Sequence, residues 1–149
     1  MTLEKTMRLW TKMAFLLLFV PLVASAQFKD LDTAMSSLNR GFGAGDVQAI
    51  VSGIGDGEKV MLQFPGLVDQ SGYYGKDQAA YLLDGLFNKA KPAGFEPTSS
   101  KKSSAEGQYY ITAKWSVING GKSEARDLYI TLRSKGDHWS VASVRSATR

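Results

Sequence analysis

Apolar positions along this chain follow a helical period first and a strand period last. Phe28, Leu31, Met35, Leu38 and Phe42 recur at spacings of three and four, with Lys29, Asp32, Ser36 and Asn39 on other faces. That stripe predicts one amphipathic helix. Gly41, Gly43 and Gly45 interrupt it, and Asp46 is a suitable cap for a shorter helix with Val47, Ile50, Val51 and Ile54 on its apolar side. "GIGDGEK" reads as a turn into the strand "KVMLQF", and "PGLVDQSG" as a second turn region with room for a short strand. Helical rhythm returns with Ala79, Leu82, Leu83, Leu86, Phe87 and Ala90, while Asp77, Asp84 and Lys89 lie off the stripe. Pro92 and Gly94 are expected to end this helix.

The last third alternates. "FEPTSSKKSS" is polar and reads as an irregular or edge strand. In "QYYITAKWSV", Tyr109, Ile111, Ala113, Trp115 and Val117 share one face and Tyr110, Thr112, Lys114 and Ser116 the other. "NGGKS" carries a hairpin-turn signal, and "ARDLYITLR" puts Leu128, Ile130 and Leu132 on one face. Trp139, Val141 and Val144 break strict alternation in "HWSVASVRS", which predicts a bulge. The order is helices, a strand or two, a helix, then a three-stranded antiparallel meander. Helices grouped on one face of an antiparallel sheet define an α+β domain.

The N-terminus changes the picture of compartment. Lys5, Arg8 and Lys12 precede the apolar run "MAFLLLFVPLV" and the small residues of "ASAQ". This predicts a signal peptide over residues 1–26, cleaved after Ala26, and a single domain over 27–149 that is exported to the periplasm or secreted. The apolar run is shorter than the roughly 20 residues of a spanning helix, so no stable membrane insertion is expected after cleavage. The chain has no cysteine, and its net charge of +4 becomes +2 once three basic residues and one acidic residue leave with the leader. Its core must therefore hold without disulfides, and a balance this small gives no case for a nucleic-acid partner.

The words "GAGDVQAIVSGI", "KVMLQFPG", "YYGKDQAAYLLDGLFNKAKPAGFE", "GQYYITAKWSV", "LYITLR" and "HWSVASVR", in that order, resemble a group of exported bacterial domains of unknown function. Those domains belong to the nuclear-transport-factor-2-like, or cystatin-like, superfamily. The resemblance implies a cone in which a curved antiparallel sheet wraps around the N-terminal helix, with a mouth open in some members and filled in others. It also implies homodimerisation through the open face of the sheet, where Tyr110, Thr112 and Lys114 point outward. It transfers no catalytic residue, because members of this superfamily range from isomerases to transport adaptors.

Candidate chemistry is sparse. Gly121, Lys122 and Ser123 end like a phosphate-binding loop, but Ser116 stands at the first glycine and the context is strand–turn–strand. "GFGAGD" lacks the third glycine of a dinucleotide fingerprint. His138 is the only histidine, so multi-histidine metal sites and Cys-His nucleophiles are excluded, and no cofactor or metal is expected. Its place beside "KGD", opposite Trp139 in the alternation, reads as an exposed turn position. Lys89, Lys91, Lys101 and Lys102 read as dipole complementation and a solvated face. Phe64, Tyr73, Tyr74, Phe87, Trp115, Tyr129 and Trp139 either line an apolar pocket or fill the core. The reading that results is a non-catalytic domain binding a small apolar ligand or an envelope protein partner. The alternative is an isomerase or dehydratase, with Asp69, Asp77 or Asp84 as proton-transfer acid and Tyr73, Tyr74, Tyr109 or Tyr129 as oxyanion donor.

Overall fold

The computed structural model describes residues 27–103 and 107–148. The leader expected over residues 1–26 lies outside the described residues. Asp30 opens the first helix, α1 (Leu31–Ala44), by accepting a hydrogen bond from the Thr33 N–H at 2.7 Å. Phe28 thus precedes the helix instead of beginning its stripe. Its backbone exchanges two hydrogen bonds with Trp139, of 3.0 and 2.7 Å, as an isolated antiparallel bridge. At the other end α1 runs through Gly41 and Gly43 and stops at Gly45, whose φ of 81° is the left-handed cap glycine favours. Gly41 reads as a breaker in sequence but serves packing. A β-carbon there would sit 2.2 Å from Cγ1 of Ile50, so α2 (Val47–Val51) comes this close only over a bare backbone.

Next come β1 (Val60–Gln63), β2 (Gly72–Tyr74) and α3 (Lys76–Lys89). The sheet is completed by β3 (Ala90–Ser103), β4 (Gln108–Asn119), β5 (Lys122–Lys135) and β6 (His138–Thr148). It has six strands in the order β2-β1-β6-β5-β4-β3 and is curved and unclosed. Every neighbouring pair is antiparallel except β1 and β6, which run parallel with Leu62 beside Val144. The expected antiparallel sheet therefore contains one parallel seam.

The meander also has four strands rather than three, because the polar segment after α3 is a full strand of 14 residues. It starts at Ala90 with no intervening turn: Pro92 does not terminate a helix but forces Lys91 into extended backbone. The β4–β5 turn is Gly120–Gly121, with φ of 60° and 80°, the positive values a two-residue hairpin needs at both positions. In β6 the register jumps from Val141 opposite Leu132 to Ser143 opposite Thr131, leaving Ala142 as the bulged residue that broken alternation foretold.

The inner face of the sheet and the helices enclose one core. Ala34, Leu38 and Phe42 of α1 and Leu83, Leu86 and Phe87 of α3 are buried with Ile111, Trp115, Leu128, Ile130 and Val144 of the strands. Phe42 is its centre. Its ring lies 5.8 Å from Trp115 and 5.9 Å from Phe87, both edge-on, and stacks on Phe95 at 6.2 Å.

Candidate functional site

The seven aromatic residues singled out in the sequence fall in four places. Phe64, Phe87 and Trp115 are all buried in the Phe42 cluster, where Phe64 and Phe87 lie 6.1 and 6.3 Å from the indole. These rings occupy the space between α1, α3 and the sheet. Trp139 is half-buried at the β5–β6 end, edge-on to Tyr109 at 6.2 Å. Tyr129 is exposed on the outer face of the sheet, where the Arg145 guanidinium lies 5.2 Å from its ring centre. Tyr73 and Tyr74 belong to β2 and border a cleft.

That cleft is an open hollow of about 810 Å³ between β2, the segment before it and the outer side of α3. Val68, Asp69 and Gln70 form one wall, with Tyr73 and Tyr74 beside them. Asp77, Gln78, Tyr81 and Leu82 of the helix form the other. The Tyr74 hydroxyl donates to the Gln70 carbonyl at 2.9 Å, so the first wall is tied to its own strand. Gln78 accepts from the Gly75 N–H at 3.3 Å, fixing the start of the helix. A second hollow of about 450 Å³ continues past Tyr81 and Leu82 and adds Asp84 and Asn88. Tyr81 is 85% exposed and Tyr73 71%. Sequence reasoning named Tyr73, Tyr74, Asp69, Asp77 and Asp84 but passed over Tyr81. The signal was present: Asp77, Tyr81 and Asp84 stand four and three residues apart, on the face of α3 opposite its buried stripe.

The three candidate acids are thus surface groups, and no Asp or Glu is buried among the described residues. The inward-facing ionisable groups on β5 are Glu124 and Arg126. Arg126 is buried, donates to Glu124 at 3.3 Å and to the Pro65 carbonyl at 2.9 Å, and so spends its charge on holding the loop after β1. His138 is half-buried rather than exposed, and its Nδ1 is shielded with no hydrogen-bond partner among the described residues. Two carboxyls are held below their ordinary values. Asp30 is lowered by the Thr33 N–H it caps, and Glu58 by its ion pair with the Lys135 ammonium. Both hold the fold together, and neither lines the cleft. No group of three His, Asp or Glu side chains among the described residues is placed to hold a metal ion, and no helix among them is long and apolar enough to cross a membrane. The "NGGKS" segment is the β4–β5 hairpin, with no helix to complete a phosphate loop.

A curved, unclosed sheet with helices packed on its inner face is the nuclear-transport-factor-2-like architecture. A nuclear-transport-factor-2-like protein from Anabaena variabilis superposes with a TM-score of 0.58 at 16% identity, over 88% of this chain and 95% of that one. Within that class, residues 35–146 match the family described as a domain of unknown function, DUF4783, and the chain belongs to it. Crystal structures of two DUF4783 proteins have the same fold. The one from Bacteroides ovatus aligns with a TM-score of 0.63 at 20% identity, over 76% of this chain and 94% of that one. The one from Bacteroides uniformis aligns at 0.64 and 16%, over 76% and 95%. No curated protein matches the chain.

Proposed function

We propose that this protein is an exported, non-catalytic binding domain of the cell envelope, and that its ligand site is the cleft between β2 and α3. The observation that carries the reading is the pair of tyrosine rings, Tyr73 and Tyr81, held exposed on opposite walls of a ready-made hollow. Its volume lies within the range of small-molecule sites. Rings left in water gain nothing for folding, whereas a ligand with an apolar body would cover both. Proton-transfer chemistry draws less support, since a general acid is tuned by desolvation and Asp69, Asp77 and Asp84 are all exposed. Export rests on the basic and apolar pattern of residues 1–26.

A panel of small apolar compounds screened by thermal unfolding tests this. A ligand at about a hundred times its Kd stabilises by about 2.7 kcal/mol, a shift of several degrees for a domain this size. Tyr81→Ala is expected to remove the shift while leaving the unliganded midpoint in place. No shift across the panel would overturn the cleft as a ligand site.

The outer face of the sheet supports a second proposal, self-association. Tyr110, Ile118 and Tyr129 are exposed there, alongside half-buried Thr112 and Lys114.

A further inference from the structure

We propose that Arg126 is a positioning residue for this cleft, acting on it from the inner face of the sheet through the segment between β1 and β2. The inference rests on the binding site proposed above and adds what sets its shape. Residues 64–71 belong to no helix or strand, yet Val68, Asp69 and Gln70 form one wall of the cleft, and Leu67 and Val68 border its continuation. The segment's own backbone bonds make a single turn, in which the Leu67 and Val68 N–H groups donate to the Phe64 carbonyl at 3.1 and 2.9 Å. Three side-chain hydrogen bonds then tie it to the body, each from a different element and each to a backbone carbonyl. Arg126 of β5 holds Pro65 at 2.9 Å, Lys89 of α3 holds Leu67 at 3.4 Å, and Tyr74 of β2 holds Gln70 at 2.9 Å.

The three ties are unequal. Lys89 is exposed and its bond is long, and the Tyr74 bond lies open to water, so water can replace either at little cost. Arg126 is buried, and a charged donor in that setting makes the stronger bond. Its direction is fixed as well. Nε and Nη2 of the planar fork both donate to one oxygen of Glu124 at 3.3 Å, which leaves Nη1 aimed at Pro65. Glu124 is in turn oriented by the Asn119 amide, at 3.3 Å, from the end of β4. Gly66 lies directly on the guanidinium, for a β-carbon there would stand 3.6 Å from Nη2. For stability alone, an apolar side chain at such a position often serves as well as a buried ion pair. What the guanidinium adds is a fixed direction for the turn from which the wall Val68–Gln70 departs, and so the separation of that wall from Tyr81 across the cleft.

Arg126→Met combined with Glu124→Leu removes the ion pair as a unit, so that no buried charge is stranded and the unfolding midpoint is expected to stay near that of the wild type. Amide hydrogen exchange and tyrosine-ring NMR shifts of the full domain read the wall, and the neutral apolar dye N-phenyl-1-naphthylamine, followed by fluorescence, reads binding. In the double variant the Leu67 and Val68 amides are expected to exchange about tenfold faster while those of the β4–β5 ladder keep their rates, the mark of local opening. The Tyr74 ring signals should shift, and the dye should bind about tenfold more weakly. Glu124→Gln leaves Arg126 in place but loosens its fork, and should show the same pattern at smaller size even if the double variant fails to fold. Unchanged exchange at Leu67 and Val68 in both variants overturns the inference and leaves the cleft as a binding site untouched. Faster exchange spread evenly over the sheet overturns it too, since Arg126 would then support the whole fold. So does wild-type dye affinity in a variant whose wall has loosened. Failure of the dye to bind the wild type counts against the binding site itself, while the exchange and ring signals still decide whether Arg126 sets the wall.

Discussion

The indole of Trp115 donates across 73 residues of sequence to the backbone oxygen of Phe42, at 2.8 Å and fully buried. That oxygen lies in the last turn of α1, where carbonyls have run out of intrahelical donors. The bond therefore satisfies an orphan acceptor and fixes the helix end against β4 in one stroke. Trp115→Phe keeps an aromatic ring but strands the oxygen, so a loss of about 1–3 kcal/mol is expected from denaturant midpoints with an unchanged slope. A loss below about 0.5 kcal/mol would show that another donor reaches Phe42. Glu58 offers a residue-level test in pH. Its ion pair with Lys135 ties the loop before β1 to the β5–β6 turn and lowers its folded pKa below the ordinary 4.5. A carboxyl lowered on folding contributes stability above its unfolded pKa and loses it as pH falls through the folded one. Glu58→Gln should therefore cost stability at neutral pH, and the gap to wild type should close in acid. A gap unchanged by about pH 3 would assign the cost to packing instead of charge.

Among the elements, β3 carries the most exposed backbone, a 14-residue strand at the sheet edge. Its composition blunts that edge: Pro92 and Pro97 withhold N–H groups, register breaks follow each of them, and Lys91, Lys101 and Lys102 are exposed. Replacing Pro97, Lys101 and Lys102 together with Val, Thr and Thr should leave the fold intact and raise concentration-dependent self-association, measured by light scattering. Scattering equal to wild type would mean that the bulges alone protect the edge. This strand also shows how far the sequence could be read. The polar run was legible as an edge, since an edge strand needs no apolar face. Its start was not, because Pro92 and Gly94 signal a break equally after a helix and within an edge strand. The periodic stripes of α1, α3, β4 and β5 were plain because burial imposes their period. The parallel seam and the Gly41–Ile50 contact left no such trace, for each depends on residues distant in the chain or on an absent side chain. For the cleft, Tyr73, Tyr74 and the acids could be named but not assembled, and Tyr81 was hidden by belonging to the solvent face of a helix.

For the whole molecule, one face of the sheet is filled by helices and the other is bare. If the outer face pairs with a second copy, the protein should elute as a dimer in size-exclusion chromatography, and Tyr129→Asp should shift it to monomer. A wild-type monomer at high concentration would refute self-association through this face. The parallel seam has a further reach. β6 is the last strand in sequence yet lies third in the sheet, between β1 and β5. Until residues 138–148 have emerged, β1 and β2 have nothing to join and the sheet is missing a central member. A partial chain is thus unable to close its structure early. The sheet is complete only once β6 is in place, so the cooperativity of the whole fold runs through that one strand.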